Sequence, residues 1–331
     1  MNKSLVSVCL ITYNHVKYIR DAIEGVLAQK VTFPIELIIA DDFSTDGTRE
    51  ILTEYKNKYP ELIRLILQEK NVGPNQNWMD LMQSPESKYI AYFEGDDYWI
   101  DDKKLQKQAD FLENHENTGM VCTNYRKYYS RTGKVKYNSF SSKKYKNEVR
   151  FEDYLLDMSS IATATILIRN KIVQEYFTEI PSETRESFIV GDTPLWLYTA
   201  AKSGISVLPE ETAVYRILDD SACHFNTPEE HYKFVLKGFK IADYFYDRYG
   251  RNNETLFRSL KQKKIKAALF HAYRTMNRDL ASGSYKELMS YKTGFKKKLS
   301  AWLMLAGSYN KRLNKMTGII LMRGNRNLSR T

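Results

Sequence analysis

The sequence predicts an α/β fold, a largely parallel sheet flanked by helices, followed by a helical C-terminal region. Three observations predict it. Apolar runs at 5–11, 35–40, 62–67 and 89–93 alternate with segments of helical spacing, the pattern of strands joined by right-handed crossovers. Three of these runs end in polar clusters, Tyr13-Asn14, Asp41-Asp42 and Asp96-Asp97. From Pro228 onward the apolar spacing is helical throughout.

Taken in order, Leu5 to Ile11 reads as a buried strand, and Ile19, Ala22, Ile23, Val26 and Leu27 then recur at helical spacing up to Gln29. Ile35 to Ala40 is a second strand; the Ser44-Thr45-Asp46-Gly47 cluster leads into a helix carrying Ile51, Leu52 and Tyr55. Leu62 to Leu67 is a third strand, Asn75 to Met82 a helix, and Tyr89 to Phe93 a fourth strand running into Glu94-Gly95-Asp96-Asp97. Beyond a helix at 103–113 and a strand at 119–123, the Tyr-, Ser- and Lys-rich stretch 125–150 reads as irregular structure. Ile161 to Ile168 then reads as a strand, Thr193 to Ser203 as a helix and Ala213 to Arg216 as a last short strand. A boundary near residue 226 separates this part from the helical remainder.

The chain has 331 residues, 43% apolar and 27% charged, close to an ordinary globular composition. Cys9, Cys122 and Cys223 lie far apart and suggest buried thiols in a reducing compartment, with neither a disulfide framework nor a metal knuckle. Met1-Asn2-Lys3 passes into a strand without the features of a signal peptide, and no window approaches the ~20 apolar residues of a membrane span. A cytoplasmic protein is expected. Residues 286–331 hold eleven Lys or Arg against the single acid Glu287, so the whole formal charge of +10 resides there. This tail sets Leu299, Trp302 and Leu303 beside Lys296, Lys297 and Lys298, and it admits two readings: a peripheral contact with the inner face of a membrane, or packing within the protein. No nucleic-acid-binding motif is present, and no nucleic-acid partner is expected.

In open sheets of this class ligands gather beyond the carboxyl ends of the strands, where the polar clusters fall. An acidic pair such as Asp96-Asp97 at the end of an apolar strand needs a cation or hydrogen-bond donors. Magnesium or manganese beside a phosphorylated ligand would meet that need; a turn with a helix cap is the plainer reading.

Three segments together decide between them. Val6-Ser7-Val8-Cys9-Leu10-Ile11-Thr12-Tyr13-Asn14, Ile39-Ala40-Asp41-Asp42-Phe43-Ser44-Thr45-Asp46-Gly47-Thr48 and Phe93-Glu94-Gly95-Asp96-Asp97-Tyr98-Trp99 resemble the signature segments of family 2 glycosyltransferases, in order and spacing. The resemblance covers about residues 4 to 225. It implies a GT-A fold, a nucleotide-diphosphate-sugar donor, a divalent cation and inversion at the anomeric carbon. It divides the chain into a glycosyltransferase domain at 1–225, with a nucleotide-sugar-binding part at about 1–124 and an acceptor-binding part at 125–225, and a basic helical region at 226–331.

Residue by residue, the resemblance places Thr12, Tyr13 and Asn14 at the donor, with the Tyr13 ring against the nucleobase and Asp42 at the base edge, a task Asp41 shares. Asn71 and Gly73 resemble the segment beside the nucleotide and donor sugar, although a turn before a helix reads equally well there. Asp96 and Asp97 map onto the metal-binding acidic motif, and Glu94 stands where many members have its first Asp. Asp192, in Gly191-Asp192-Thr193-Pro194, resembles the general base; a helix N-cap is the competing reading. Trp196 is placed at the acceptor or in the core, His224 at the metal or diphosphate or simply on the surface, and Arg216 at the diphosphate or in an ion pair.

The reading that results is an inverting glycosyltransferase acting on a nucleotide sugar, preferably a UDP-sugar, and a glycan or lipid-linked acceptor in surface polysaccharide biosynthesis. Two rivals stand beside it: a nucleotide-sugar-binding module that has lost its chemistry, and a nucleotidyltransferase. The second would carry a Gly-rich, basic loop after the first strand, where this chain has Thr12-Tyr13-Asn14-His15.

Overall fold

The apolar runs become the parallel half of one mixed sheet. In the computed structural model, which describes residues 4–140, 147–158, 160–218, 225, 227–291 and 294–324 (side chains 296 and 319–324 excepted), β1 (Val6–Thr12) lies between β2 (Ile35–Asp41) and β4 (Tyr89–Glu94), and β3 (Ile63–Leu67) flanks β2, all in parallel. All seven residues of β1 are buried, as a parallel strand covered by its connecting helices requires. Those helices are α1 (Ile19–Leu27), α2 (Thr48–Lys58), α3 (Pro74–Gln83) and α4 (Lys104–Glu113). In α1 the buried set is Ile19, Ala22, Ile23 and Val26, the one-faced stripe its spacing predicts.

The sheet continues through β9 (Leu167–Arg169), β6 (Met120–Tyr129), β10 (Ile205–Ile217) and β5 (Tyr98–Trp99), giving the order β3-β2-β1-β4-β9-β6-β10-β5; β7 (Lys134–Lys136) adds to β6 and β8 (Glu148–Val149) to β10. The long strands β6 and β10 are parallel to one another, whereas the short β5, β7, β8 and β9 are antiparallel to their partners. Because β9 runs against both β4 and β6, the residues that precede it lie at the edge where β4 ends.

Three expectations are corrected here. Residues 125–129 extend β6 and 134–136 pair with it, so the stretch 125–150 is only partly irregular. The last strand is 13 residues long, not four. The strand expected at 161–168 is a 3-10 turn, Thr163–Thr165, followed by the three residues of β9.

The chain folds as two compact units, Met1–Ser221 and Ala222–Thr331. In the second, helices run over Pro228–Phe245, Glu254–Thr275, Arg278–Met289, Phe295–Tyr309 and Lys311–Gly324. Thr227, Asn253 and Asn277 cap the first three through their side chains. Leu269, Ala272, Ala281, Leu288 and Ala301 form the core of this unit. Among the described residues no helix is long and apolar enough to cross a membrane.

Candidate active site

The carboxyl ends of β1, β2 and β4 are level with one another. Thr12 pairs with Asp41 and Ile11 with Glu94, and the backbone continues the ladder one step further through Asp42 N to Thr12 O (3.0 Å) and Gly95 N to Ile11 O (2.8 Å). The three polar clusters are thereby brought to one edge. Tyr13 is 45% exposed there, with a ring face open for stacking. Thr12 is buried, its hydroxyl 3.2 Å from His15 Nδ1, so it lies behind the surface. Asn14, at φ 55°, ties the loops after β1 and β2 together: its N–H donates to Ser44 Oγ at 2.9 Å and its Oδ1 accepts from Thr45 N at 2.9 Å. Phe43, at φ 63°, lies under the Arg49 guanidinium, 5.0 Å from its ring centroid.

The two aspartates after β2 divide their work. Asp41 is fully buried and accepts from Ser44 N (3.0 Å), the Ser44 hydroxyl and Arg49 Nε (2.5 Å). It braces the loop and presents nothing to a ligand, which corrects its expected share in base recognition. Asp42 turns the other way and accepts from Val72 N at 2.7 Å and Gly73 N at 3.0 Å, while Asn71 Nδ2 donates to Asp42 O at 3.2 Å. The loop 71–73 is thus latched onto the end of β2. Gly73, at φ 86°, turns the chain into α3 with a backbone that a side chain would strain.

After β4 the acids crowd together. Asp97 is 1% exposed; its Oδ1 accepts from Arg216 N at 2.8 Å, and its Oδ2 is buried without a hydrogen-bond partner. Burial, and then the charges of Asp96 and Glu94, raise its carboxyl well above the ordinary range. Glu94 accepts from the Thr163 hydroxyl and from Tyr92 Oη at 3.4 Å. Burial, with smaller contributions from the Asp96 and Asp192 charges, pushes its carboxyl up to about 8. Arg216 reinforces the acid pair from beneath. Its Nη1 donates to Asp96 O at 2.7 Å, its Nη2 pairs with Asp21, and its guanidinium lies 4.3 Å from the Tyr98 ring centroid and 5.2 Å from that of Tyr18. That engagement favours the ion-pair reading of Arg216 over a diphosphate contact.

Asp192 opens the helix Asp192–Lys202, with Gly191 in the capping position and Asp192 Oδ1 accepting from Thr193 N at 2.6 Å. It is the first helical residue, not the cap. Burial raises its carboxyl above the ordinary value, and the segment before it approaches α3, whose Asn75 Nδ2 donates to Phe188 O at 3.3 Å. Gly191 allows this approach: a Cβ there would stand 2.3 Å from a Trp78 ring carbon. Trp196, by contrast, is fully buried, as are Leu195, Leu197 and Tyr198. The helix is covered all round, so Trp196 belongs to the core and the acceptor role expected for it is withdrawn. His224 and Cys223 lie outside the described residues, whereas Cys9 and Cys122 are free and buried.

Among the described residues no three acidic, His or Cys side chains converge to hold a metal alone. The donor set nevertheless fits a hard dication that takes one or two carboxylates and completes its shell with phosphate oxygens: Asp97 offers a buried oxygen without a partner, and Asp96 and Glu94 add carboxyl groups beside it. Thr163 is the contributor that sequence reasoning missed. Its β-branched neighbours imitate a strand, and nothing in their pattern marks a turn.

A family model described as glycosyl transferase family 2 matches residues 7–177, just over half of the chain. The chain belongs to that family. An uncharacterised protein of Mycobacterium tuberculosis is 36% identical to this family 2 chain over 211 residues, which is 64% of the chain and 58% of the relative's own length. TuaG of Bacillus subtilis, a putative teichuronic acid biosynthesis glycosyltransferase, is 40% identical over 110 residues, 33% of the chain and 42% of TuaG. The fold is shared with TarS of S. aureus in complex with UDP (17% identity, TM-score 0.57, 93% of this chain and 82% of that one). It is also shared with mannosyltransferase PcManGT from Pyrobaculum calidifontis in complex with GDP-Man and Mn2+ (12% identity, TM-score 0.52, 99% and 88%). The GT-A fold that the resemblance implied is therefore the fold of this family 2 chain.

The raised Glu94 carboxyl has a measurable consequence. Between its ordinary value of 4.5 and about 8 the folded chain holds a proton that the unfolded chain has released, so this group lowers stability as pH rises through that window. Glu94→Gln removes the titration: relative to wild type, the variant's urea midpoint is expected to improve from pH 5 to pH 8. Parallel pH profiles for the two proteins would contradict the placement of Glu94.

Proposed function

We propose that the chain transfers a sugar, with inversion, from a nucleotide-diphosphate-sugar to a hydroxyl of a glycan or lipid-linked acceptor in surface polysaccharide biosynthesis. The observation that carries this reading is the delivery of Tyr13, Asp42 and the acids Glu94, Asp96 and Asp97 to one edge of a family 2 fold. Tyr13 stacks on the base, and Asp42 with the loop at 71–73 borders it. A UDP-sugar is the preferred donor; relatives of the fold that carry UDP and GDP-Man in their structures support a nucleotide sugar in general.

The chemistry is a single displacement. The acceptor oxygen bonds to the anomeric carbon while the bond from that carbon to the diphosphate oxygen breaks, and the electron pair leaves with the nucleoside diphosphate. Asp192 takes the proton of the acceptor hydroxyl; its raised carboxyl makes it a stronger base than an ordinary aspartate. Asp96 and Asp97, with Glu94 beside them, would hold manganese or magnesium, which offsets charge on the departing diphosphate. Arg216 keeps the acid pair in place from below.

The acceptor reading extends to the second unit. Phe295, Leu299, Trp302 and Met316 are exposed beside exposed Lys297, Lys298, Lys311, Arg312 and Lys315. This combination suits an anionic membrane surface carrying a lipid-linked acceptor.

Three outcomes test the reading. UDP, GDP and dTDP are added with and without manganese in thermal-shift measurements; manganese-dependent stabilisation by one of them, lost in Asp96→Ala/Asp97→Ala, is expected. No response to any nucleotide would overturn the donor-site reading, whereas a response without sugar transfer would favour a binding module that has lost its chemistry. Asp192→Asn is expected to lower the transfer rate by roughly 10²–10⁴-fold while keeping the nucleotide response; an unchanged rate removes Asp192 from the mechanism. The chain should co-sediment with phosphatidylglycerol vesicles and not with phosphatidylcholine vesicles, and equal recovery with both would refute the membrane contact.

A further inference from the structure

Three consecutive carbonyls beside the acidic edge are each taken by a side chain from one stretch of the chain. Trp99 Nε1 donates to Ala164 O at 2.9 Å, Gln108 Nε2 to Thr165 O at 2.8 Å, and Lys104 Nζ to Ile166 O at 3.3 Å. The donors stand just after Asp96 and Asp97 in sequence, at β5 and along α4. The carbonyls belong to the turn Thr163–Thr165 and the residue after it.

Lys104 is the unusual member. It is 0% exposed, with its Nζ 4.3 Å from the Trp99 ring centroid and 2.7 Å from Gln108 Oε1. A buried ammonium is costly, and desolvation pushes this one down to about 7. An apolar side chain of similar volume would fill the space without that cost. What lysine supplies instead is direction: by donating to Gln108 Oε1 it fixes the amide so that Nε2 points to Thr165 O and, at 3.2 Å, to Val121 O. All three donors then bear on one turn, and that turn carries the Thr163 hydroxyl that donates to Glu94.

We propose that Trp99, Lys104 and Gln108 are positioning residues, which hold the Thr163 hydroxyl on Glu94 and so fix the Glu94 carboxylate among Asp96, Asp97 and Asp192. The inference rests on the reading of that edge as the donor-diphosphate site. It makes the interior of α4 part of the site's second layer, although none of the three touches a substrate. Lys104→Met keeps the stem and removes the donor; Thr163→Val keeps the shape and removes the hydroxyl.

The test is a double-mutant cycle on UDP binding in the presence of manganese, measured by calorimetry, alongside the thermal midpoint of each variant. Each single substitution is expected to weaken binding by roughly 10–100-fold, the usual cost of removing an outer-layer partner. The double variant is expected to bind no more weakly than the worse single, because both act through one hydrogen bond. Gln108→Glu, which keeps a partner for Lys104 but loses the donor to Thr165 O, serves if Lys104→Met fails to fold, and it should reproduce the loss. Losses that multiply in the double variant, or full binding by a folded Lys104→Met or Gln108→Glu, overturn the inference. Absence of manganese-dependent UDP binding by wild type would instead overturn the donor-site reading on which it rests.

Discussion

Asp97 is held below the sheet edge with one oxygen on the backbone N–H of Arg216 and the other without a hydrogen-bond partner. Keeping a carboxylate there costs free energy unless its surroundings are fixed around it, and much of the architecture can be traced to that demand. β10 must run on beside β6 to Ile217, level with Tyr129, so that the Arg216 N–H reaches the Asp97 carboxylate, and β5 must fold back to pair Tyr98 with Val214. The Arg216 guanidinium then fills the space between the Tyr18 and Tyr98 rings and joins Asp21 of α1 to the backbone of Asp96. Parts of α1, β4, β5 and β10 thus meet around one arginine.

The same economy separates neighbours that look alike. Asp41 and Asp42 are adjacent carboxylates at a strand end, yet the alternation of the strand sends one inward to Ser44 and Arg49 and the other outward to the loop 71–73. Asp41 and Asp42 are both buried, whereas Asp96 is partly exposed and Asp97 buried.

Much of this was legible in the sequence. Parallel strands buried on both faces leave unbroken apolar runs, so β1, β2 and β4 are visible in the letters, as are the acids that end β2 and β4. The remainder was hidden for identifiable reasons. β10 contains Pro209-Glu210-Glu211, which reads as a break; the chain absorbs it as register shifts between Leu208 and Ala213 and continues as a strand. The turn at 163–165 is built of residues that favour strands, and its shape comes from Thr165 Oγ1 bonding to Ala162 O and from side chains distant in sequence. Trp196 sits in a helix buried on every side, so no amphipathic period told its face apart. Lys104 looked like any surface lysine, since burial of a cation leaves no trace in composition.

The loops after β1 and β2 contain two residues other than glycine in the left-handed region, Asn14 and Phe43. Asparagine tolerates that conformation; bulky and especially β-branched residues resist it. For anyone who diversifies these loops by directed evolution, this partitions them into unequal ground. Random libraries at 14 and 43 would place many of their members on a strained backbone, whereas Tyr13, outside the left-handed region and 45% exposed, offers the wider field for variation.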